Sequence, residues 1–146
     1  LGMALSAKMD DKNYRTYCVM GDGELQEGSV WEAAMAASNY RLDNLCAIID
    51  RNKLQIDGST ENVMALEPLA EKWSSFGWNV VEIDGHDHND IIDAFAIARA
   101  TIGQPTLVLA NTVMGKGVKS IENDNKWHGK VPSRDDLDKF LNELYC

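Results

Sequence analysis

Short apolar runs alternate with amphipathic stretches along most of this chain. The apolar runs are rich in β-branched and aromatic residues, which is typical of strands. They predict strands over Tyr14–Met20, Leu45–Asp50, Asn79–Asp84 and Thr106–Ala110. In the stretches between and after them, apolar residues recur at the spacing of one helix face. These stretches predict helices over Val30–Tyr40, Leu66–Phe76, His88–Ala100 and Arg134–Tyr145.

The order of these elements predicts an α/β fold. Strands separated by helices require crossover connections, and such connections build a doubly wound, mostly parallel sheet with helices on both faces. No internal repeat and no Pro/Gly/Ser linker interrupts residues 1–146, so we expect one domain and no second one. The stretch Leu1–Met9 is typical of the middle or end of a small-residue helix, which indicates a chain that begins inside a domain.

The polar segment around His86 and His88 is interpreted as a loop that leads into a helix. An H-x-H pair can bind a metal, but a third ligand is lacking here. Asp87 or Asn89 is the candidate N-cap of that helix. The residues of this helix that are expected to face the core are Ile91, Ile92, Phe95 and Ala98. Ser133 is the candidate cap of the last helix.

Composition constrains the partners of the chain. Its formal net charge of −9 argues against nucleic acid or an anionic membrane as the main partner. An acidic protein that binds phosphate needs a metal ion or backbone amides to do so. No apolar run is long enough to cross a membrane. Cys18, Cys46 and Cys146 have neither CxxC nor metal-ligand spacing, so we expect a reduced, cytoplasmic compartment, with Cys18 and Cys46 buried as small hydrophobic residues.

The candidate chemistry lies where two predicted strands end. Gly21-Asp22-Gly23 follows the first strand, and Asn52 follows the second strand. In a parallel sheet both positions fall at the carboxyl edge, where ligands bind. Carboxylate and amide oxygens are ligands that Mg²⁺ accepts, and glycines let the backbone approach a phosphate. A solvated turn would explain Gly21-Asp22-Gly23 alone. The pairing with Asn52 favours a divalent cation that holds a diphosphate.

An ordered series of motifs extends beyond these residues. It consists of G-D-G-E-L-Q-E-G-S-V-W-E-A-A-M-A-A, N-K-L-Q-I-D-G, D-G-H-D, G-Q-P-T, M-G-K-G and W-H-G-K. The series covers nearly the whole chain and resembles transketolase, a family of thiamine-diphosphate enzymes. The resemblance implies that residues 1–146 form part of a thiamine-diphosphate-binding domain. This would be the N-terminal domain, or a split N-terminal subunit, without its start.

The resemblance also implies a reaction. The cofactor would be thiamine diphosphate with Mg²⁺ or Ca²⁺, and a two-carbon ketol unit would pass from a ketose phosphate to an aldose phosphate. Pentose-phosphate metabolism is the default setting, and the particular sugars stay open. Alternatives with the same cofactor are deoxyxylulose-phosphate synthase and the decarboxylating component of an α-ketoacid dehydrogenase. A non-catalytic assembly fragment is an alternative from another class.

Individual residues take roles from the same resemblance. Asp22, Asn52 and the main-chain carbonyl of Leu54 would bind the metal. Gly23 would offer its amide to the diphosphate. The remaining members of this cofactor-binding stretch are Gly21 and Glu24.

Four more residues take roles in this way. His128 would lie near the diphosphate and the donor substrate and take part in proton transfer. Met114 would be an apolar residue that packs near the cofactor. Glu27 and Glu32 would belong to a subunit interface, in a hydrogen-bonded network that links two active sites.

The resemblance implies partners as well. In the family another domain holds the aminopyrimidine ring, so we expect a C-terminal transketolase subunit or domain with the pyrimidine-binding site. We expect a homo-oligomer, namely a dimer, through the same interface. Without the partner and the missing segments we expect no turnover. Sugar phosphates are the expected substrates, and neither nucleic acid nor a membrane is an expected partner.

Overall fold

Parallel strands form the central sheet of the computed structural model, which describes residues 1–145. They are β1 (Thr16–Gly21), β2 (Leu45–Arg51), β5 (Asn79–Asp84) and β6 (Thr106–Asn111), and their order across the sheet is β1-β2-β6-β5. Every neighbouring pair is parallel. The strands β3 (Leu54–Gln55) and β4 (Gly58–Ser59) form a separate antiparallel hairpin.

Helices precede the first strand, connect the strands and follow the last one. They are α1 (Gly2–Met9), α2 (Gly28–Asn39), α3 (Thr60–Val63), α4 (Leu69–Ser75), α5 (His88–Ala100) and α6 (Arg134–Tyr145). Short 3₁₀ helices lie at Gly23–Gln26 and Asn125–Trp127. The predicted bounds of β5, α5 and α6 are confirmed. Within residues 1–145, no helix has the length and apolar content needed to cross a membrane.

Alternate residues of β2 face opposite layers of helices. Leu45, Ala47 and Ile49 belong to the larger core, together with buried residues of α1, α2 and α4 such as Trp73. Cys46 belongs to a second core on the other face, with buried alanines of α5. Successive side chains of a strand point to opposite sides, so helices cover both faces of the sheet. The predicted fold class, a doubly wound α/β sheet, is therefore confirmed.

Burial corrects two of the sequence predictions. Cys18 is exposed rather than buried, because β1 lies at the edge of the sheet and pairs with β2 alone. Cys46 is buried as predicted, and burial raises the pKa of its thiol to about 11. Cys146 lies outside the described residues. Ile92 is 61% exposed rather than inward, because the fully buried stripe of α5 consists of small alanines.

The segment between β2 and α4 also differs from the prediction. α4 begins three residues later than expected, because Pro68 is its N-cap and a residue that precedes proline disfavours helical backbone angles. The β3–β4 hairpin is absent from the predicted elements, since strands of two residues show no periodicity. Its sequence signal is the turn Asp57-Gly58. Gly58 has φ 142°, a backbone conformation that favours glycine.

Side-chain caps fix the helix ends near the carboxyl edge of the sheet. Asp87 caps α5, as one of the two candidates predicted. Ser133 caps α6 as predicted, since its hydroxyl accepts a hydrogen bond of 3.1 Å from the amide of Asp136. In the loop between β6 and α6, Asp124 caps the second 3₁₀ helix. The loop therefore has short local structure of its own just before His128.

Candidate functional site

Asp22 and Asn52 lie side by side in the fold, as their positions after two strands predict. Gly21, the last residue of β1, is in register with Asp50 of β2. Both side chains line one cavity of about 340 Å³ at the carboxyl edge of the sheet. Predicted cofactor-binding residues that line this cavity are Gly21, Asp22, Gly23, Glu24, Asn52, Leu54 and His128. The structure thus brings most of the predicted site together.

The Asp22 carboxylate is buried and held in one orientation. Its Oδ2 accepts hydrogen bonds from the amide of Lys53 at 2.6 Å and from Nη1 of Arg51 at 2.9 Å. Its Oδ1 accepts one from the amide of Gly23 at 2.8 Å. A carboxylate oxygen has two lone pairs, so two donors occupy Oδ2 while Oδ1 retains capacity for a cation. The Gly23 amide, predicted to serve a diphosphate, is engaged with Asp22 in this structure.

The turn after β2 sets the orientation of Asn52. Its Oδ1 accepts a hydrogen bond from the amide of Leu54 at 2.9 Å, and its Nδ2 lies 3.4 Å from Oδ1 of Asp50. Lys53 has φ 66°, in the left-handed region that a residue with a side chain seldom adopts. This conformation directs the Lys53 amide to Asp22. A strained residue between two candidate ligands is typical of a functional site.

His128 reaches the cavity through contacts that begin elsewhere in its loop. Nδ2 of Asn125 donates a hydrogen bond of 3.0 Å to the carbonyl of Ile56, in the hairpin turn. Trp127 packs edge to face on Phe140 of α6, with ring centroids 5.1 Å apart. These contacts tie the loop both to the hairpin and to the last helix. His128, which follows Trp127 directly, is thereby placed at the cavity.

Three residues at the site were missed by sequence reasoning. Gln55 and Ile56 line the cavity, and their signal was the hairpin turn that follows them. Nε2 of Gln55 is buried without a hydrogen-bond partner among the described residues, which suits an anionic ligand. Arg51 is buried at the end of β2, and no local sequence pattern predicts its role. Burial opposes its charge, yet hydrogen bonds to Glu67 and Asp22 raise the pKa of Arg51 above its ordinary value.

Other candidate residues lie away from the cavity lining. Met114 is half-buried, and its carbonyl accepts a hydrogen bond from the amide of Asn123. Glu27 and Glu32 are exposed at the start of α2. Nε2 of His86 accepts a hydrogen bond of 2.8 Å from the amide of Val113, which is a structural role.

The oxygen donors at the cavity fit a hard divalent cation. Within the described part of the chain, no group of three or more His, Cys, Asp or Glu side chains is arranged to hold a metal. A cation at Asp22 would therefore take its other ligands from Asn52, a backbone carbonyl such as that of Leu54, and oxygens of a bound molecule. Mg²⁺ typically binds through one or two protein carboxylates together with phosphate oxygens.

Fold and site together define an α/β domain with an oxygen-lined pocket at the carboxyl edge of a parallel sheet. Over residues 6–144 the chain matches the family described as transketolase, thiamine diphosphate binding domain. It is 49% identical over 144 residues to an apulose-4-phosphate transketolase subunit of Phocaeicola vulgatus. It is 48% identical over 122 residues to a 6-deoxy-6-sulfo-D-fructose transketolase subunit of Clostridium sp. (strain MSTE9). The chain belongs to the family of transketolase thiamine-diphosphate-binding domains.

Solved structures agree with this assignment. A crystal structure of transketolase from Campylobacter jejuni matches the fold with a TM-score of 0.91 at 30% identity. That match covers 99% of this chain and 24% of the other. The matches to the Phocaeicola and Clostridium subunits cover 99% and 84% of this chain, and 51% and 44% of theirs. The chain therefore spans about half the length of the subunit relatives.

Proposed function

We propose that this chain is the diphosphate- and metal-binding part of a transketolase, which transfers a two-carbon ketol unit from a ketose phosphate to an aldose phosphate. The cofactor would be thiamine diphosphate with Mg²⁺ or Ca²⁺; when bound, it supplies the electron sink for carbon–carbon bond cleavage. The observation that carries the proposal is that Asp22, Asn52 and His128, from three distant segments, line one cavity.

The proposed metal ligands are Asp22, Asn52 and the carbonyl of Leu54. Asp22 brings one negative charge, and the other two bring neutral oxygens, so the cation keeps charge and coordination positions for diphosphate oxygens. The free capacity of Oδ1 on Asp22 supports this role. The unpartnered Nε2 of Gln55 supports an anion in the same cavity.

The residues around the cation have complementary proposed roles. Gly21 and Gly23 carry no side chain, so the diphosphate can approach the backbone between β1 and α2. Glu24 stiffens this turn, because its carboxylate accepts a hydrogen bond of 3.1 Å from the amide of Gly21. His128 would move a proton to or from a sugar hydroxyl near the diphosphate. Met114 remains a proposed apolar contact of the cofactor.

Catalysis would require a second polypeptide or domain. Two relatives are named as transketolase subunits, and this supports a C-terminal partner that carries the pyrimidine-binding site. Glu27 and Glu32 are exposed and free to join a subunit interface, in a dimer of the assembled enzyme. The names of the two subunit relatives refer to different sugars, so the particular sugars stay open and pentose-phosphate metabolism is the default. A cytoplasmic location is likewise the default of the proposal.

The test uses the protein assembled with a C-terminal partner subunit. Calorimetric titration with thiamine diphosphate and Mg²⁺ is expected to show binding that EDTA abolishes. Asp22→Asn and Asn52→Ala should each weaken it by more than about 100-fold, since residues that merely orient a metal ligand already cost about 10–100-fold. Asp57→Asn, an exposed aspartate in the hairpin turn, is the matched control and should bind normally.

Three outcomes would contradict the proposal. If the Asp22 and Asn52 variants bind thiamine diphosphate and Mg²⁺ as tightly as the wild type does, these residues do not form a cation site. Release of carbon dioxide from pyruvate or another 2-ketoacid, without ketol transfer between sugars, would favour the decarboxylating alternatives. Absence of thiamine-diphosphate binding by the assembled wild type would favour an assembly fragment.

A further inference from the structure

Arg51 lies at the centre of an ionic cluster beside the cavity, in which Asp22 is buried and Glu61 and Glu67 are exposed. Its side chain is 2% exposed, and its two terminal nitrogens each serve two acceptors. Nη1 donates to Oδ2 of Asp22 at 2.9 Å and to Oγ1 of Thr60 at 2.8 Å. Nη2 donates to Oε1 of Glu67 at 2.7 Å and to Oε1 of Glu61 at 3.1 Å. One guanidinium thus joins the candidate metal ligand to the segment that follows the hairpin.

We propose that Arg51 is a positioning residue that holds Asp22 in the orientation required by the divalent cation, and that Glu67 and Glu61 hold Arg51. This inference rests on the proposed function, because it concerns the same cation site. Arg51 and the Lys53 amide together occupy Oδ2 of Asp22. They therefore leave Oδ1 as the oxygen that faces a cation.

The charges of the cluster decide whether Arg51 favours or opposes the binding of a divalent cation at Asp22. A guanidinium alone beside Asp22 would neutralise the ligand and repel a divalent ion. Glu61 and Glu67 offset this effect, because three carboxylates and one guanidinium leave a net formal charge of −2. Solvent screens part of that charge, since the side chains of Glu61 and Glu67 are 38% and 52% exposed. Glu61 and Glu67 are thus electrostatic partners of a site that neither of them touches.

The geometry at position 51 fits an arginine better than another basic side chain. Four acceptors lie around one planar group, and the fork of a guanidinium matches that arrangement. A lysine ammonium at position 51 would supply the charge as a point and would lose part of these hydrogen bonds. Arg51→Lys therefore separates the contribution of charge from that of orientation.

The experiment measures Mg²⁺ affinity at saturating thiamine diphosphate in the protein assembled with a C-terminal partner subunit. Arg51→Met is expected to weaken Mg²⁺ binding by about 10–100-fold, the range found for residues that orient metal ligands. Arg51→Lys should recover part of this loss. Glu67→Gln should weaken binding by a smaller factor, of about threefold to tenfold, which is the effect expected from weakening one hydrogen bond. The apparent KM for Mg²⁺ should change more than kcat in each variant.

Arg15→Met is the matched control. Arg15 is also part-buried, and its Nη2 donates to the carbonyls of Asp43 and Ala98 at 2.6 and 2.7 Å. Its loss should lower Tm while Mg²⁺ affinity stays unchanged, which is the behaviour of a purely structural arginine. If Arg51→Met does not fold, Arg51→Lys and Glu67→Gln carry the test.

The outcomes separate this inference from the proposed function. If the wild type shows no metal-dependent cofactor binding, the proposed function fails. If the wild type binds but Arg51→Lys and Glu67→Gln bind Mg²⁺ as tightly as the wild type does, the positioning role is overturned. The positioning role is overturned as well if the Arg51 variants lower Tm without any change in Mg²⁺ affinity.

Discussion

Nδ2 of Asn125 donates a hydrogen bond of 3.0 Å to the carbonyl of Ile56. This bond joins two segments that are far apart in the chain, namely the loop that carries His128 and the turn of the β3–β4 hairpin. Ile56 also lines the cavity, so the bond lies beside the site whose two walls it connects. The position of His128 relative to Asp22 therefore depends on it.

Asn125→Ala should loosen the His128 loop. Loss of one hydrogen bond is worth about 1 kcal/mol, which is about fivefold in affinity. We expect the apparent affinity for thiamine diphosphate with Mg²⁺ to fall by this factor in the assembled enzyme, as measured by calorimetry. Asn13→Ala, at an exposed asparagine before β1, is the control and should leave the affinity unchanged. An unchanged affinity in Asn125→Ala would mean that the bond does not position His128.

Phe140→Leu should weaken the attachment of the same loop to α6. The Trp127 and Phe140 rings pack edge to face, with an interplanar angle of 76°. Such an aromatic pair contributes about 1 kcal/mol beyond the area that it buries. We expect faster hydrogen exchange over residues 125–128 and 134–145. Leu137→Ala, at a half-exposed position of α6, should change exchange in residues 125–128 little. Equal exchange in both variants would contradict the anchoring role.

Gly23→Ala should disturb the contact between the turn after β1 and the hairpin. A Cβ at Gly23 would lie 2.9 Å from Cβ of Gln55, which is closer than such atoms approach. Overpacking of this kind costs about 1–3 kcal/mol. Urea unfolding should show this loss in the free energy of unfolding. Gly28→Ala is the control, because nothing lies within 4 Å of a Cβ added there. A Gly23→Ala protein as stable as Gly28→Ala would refute the close contact.

Asp43→Asn should change the acid stability of the protein. Desolvation alone would raise the pKa of Asp43, but the hydrogen bond from Lys8 and that from the amide of Gly103 lower it below its ordinary value. Because the folded pKa is the lower one, this contribution to stability is present above about pH 3.9 and is lost as pH falls through the folded pKa.

The difference between wild type and Asp43→Asn should therefore shrink in acid. At pH 7 we expect the variant to be less stable by about 0.5–1 kcal/mol, since Lys8 and Asp43 are partly exposed. Urea titrations at pH 7 and pH 3 measure the change. Asp93→Asn, at an exposed position of α5, is the control. A difference that grows towards pH 3 would reverse the assigned sign.

Hydrophobic periodicity sufficed for most of the fold. The bounds of β5 and α5 follow from it directly, because each segment has one consistent pattern. Cys18 shows its limit, since it lies on a strand at the edge of the sheet, and the apolar pattern of a strand does not reveal whether that strand is central or at an edge. The hairpin shows another limit, because its strands are too short for a pattern to form.

The candidate site likewise depends partly on the sequence pattern and partly on tertiary contacts. The sequence alone determined that Asp22 and Asn52 meet at one edge of a parallel sheet, because parallel strands end on the same side. Only the tertiary structure decided that Arg51 occupies one oxygen of Asp22 and that the loop contacts place His128 at the cavity. Periodicity is a property of neighbouring residues, whereas these hydrogen bonds and contacts depend on how distant segments cross. They exist only once the chain is folded.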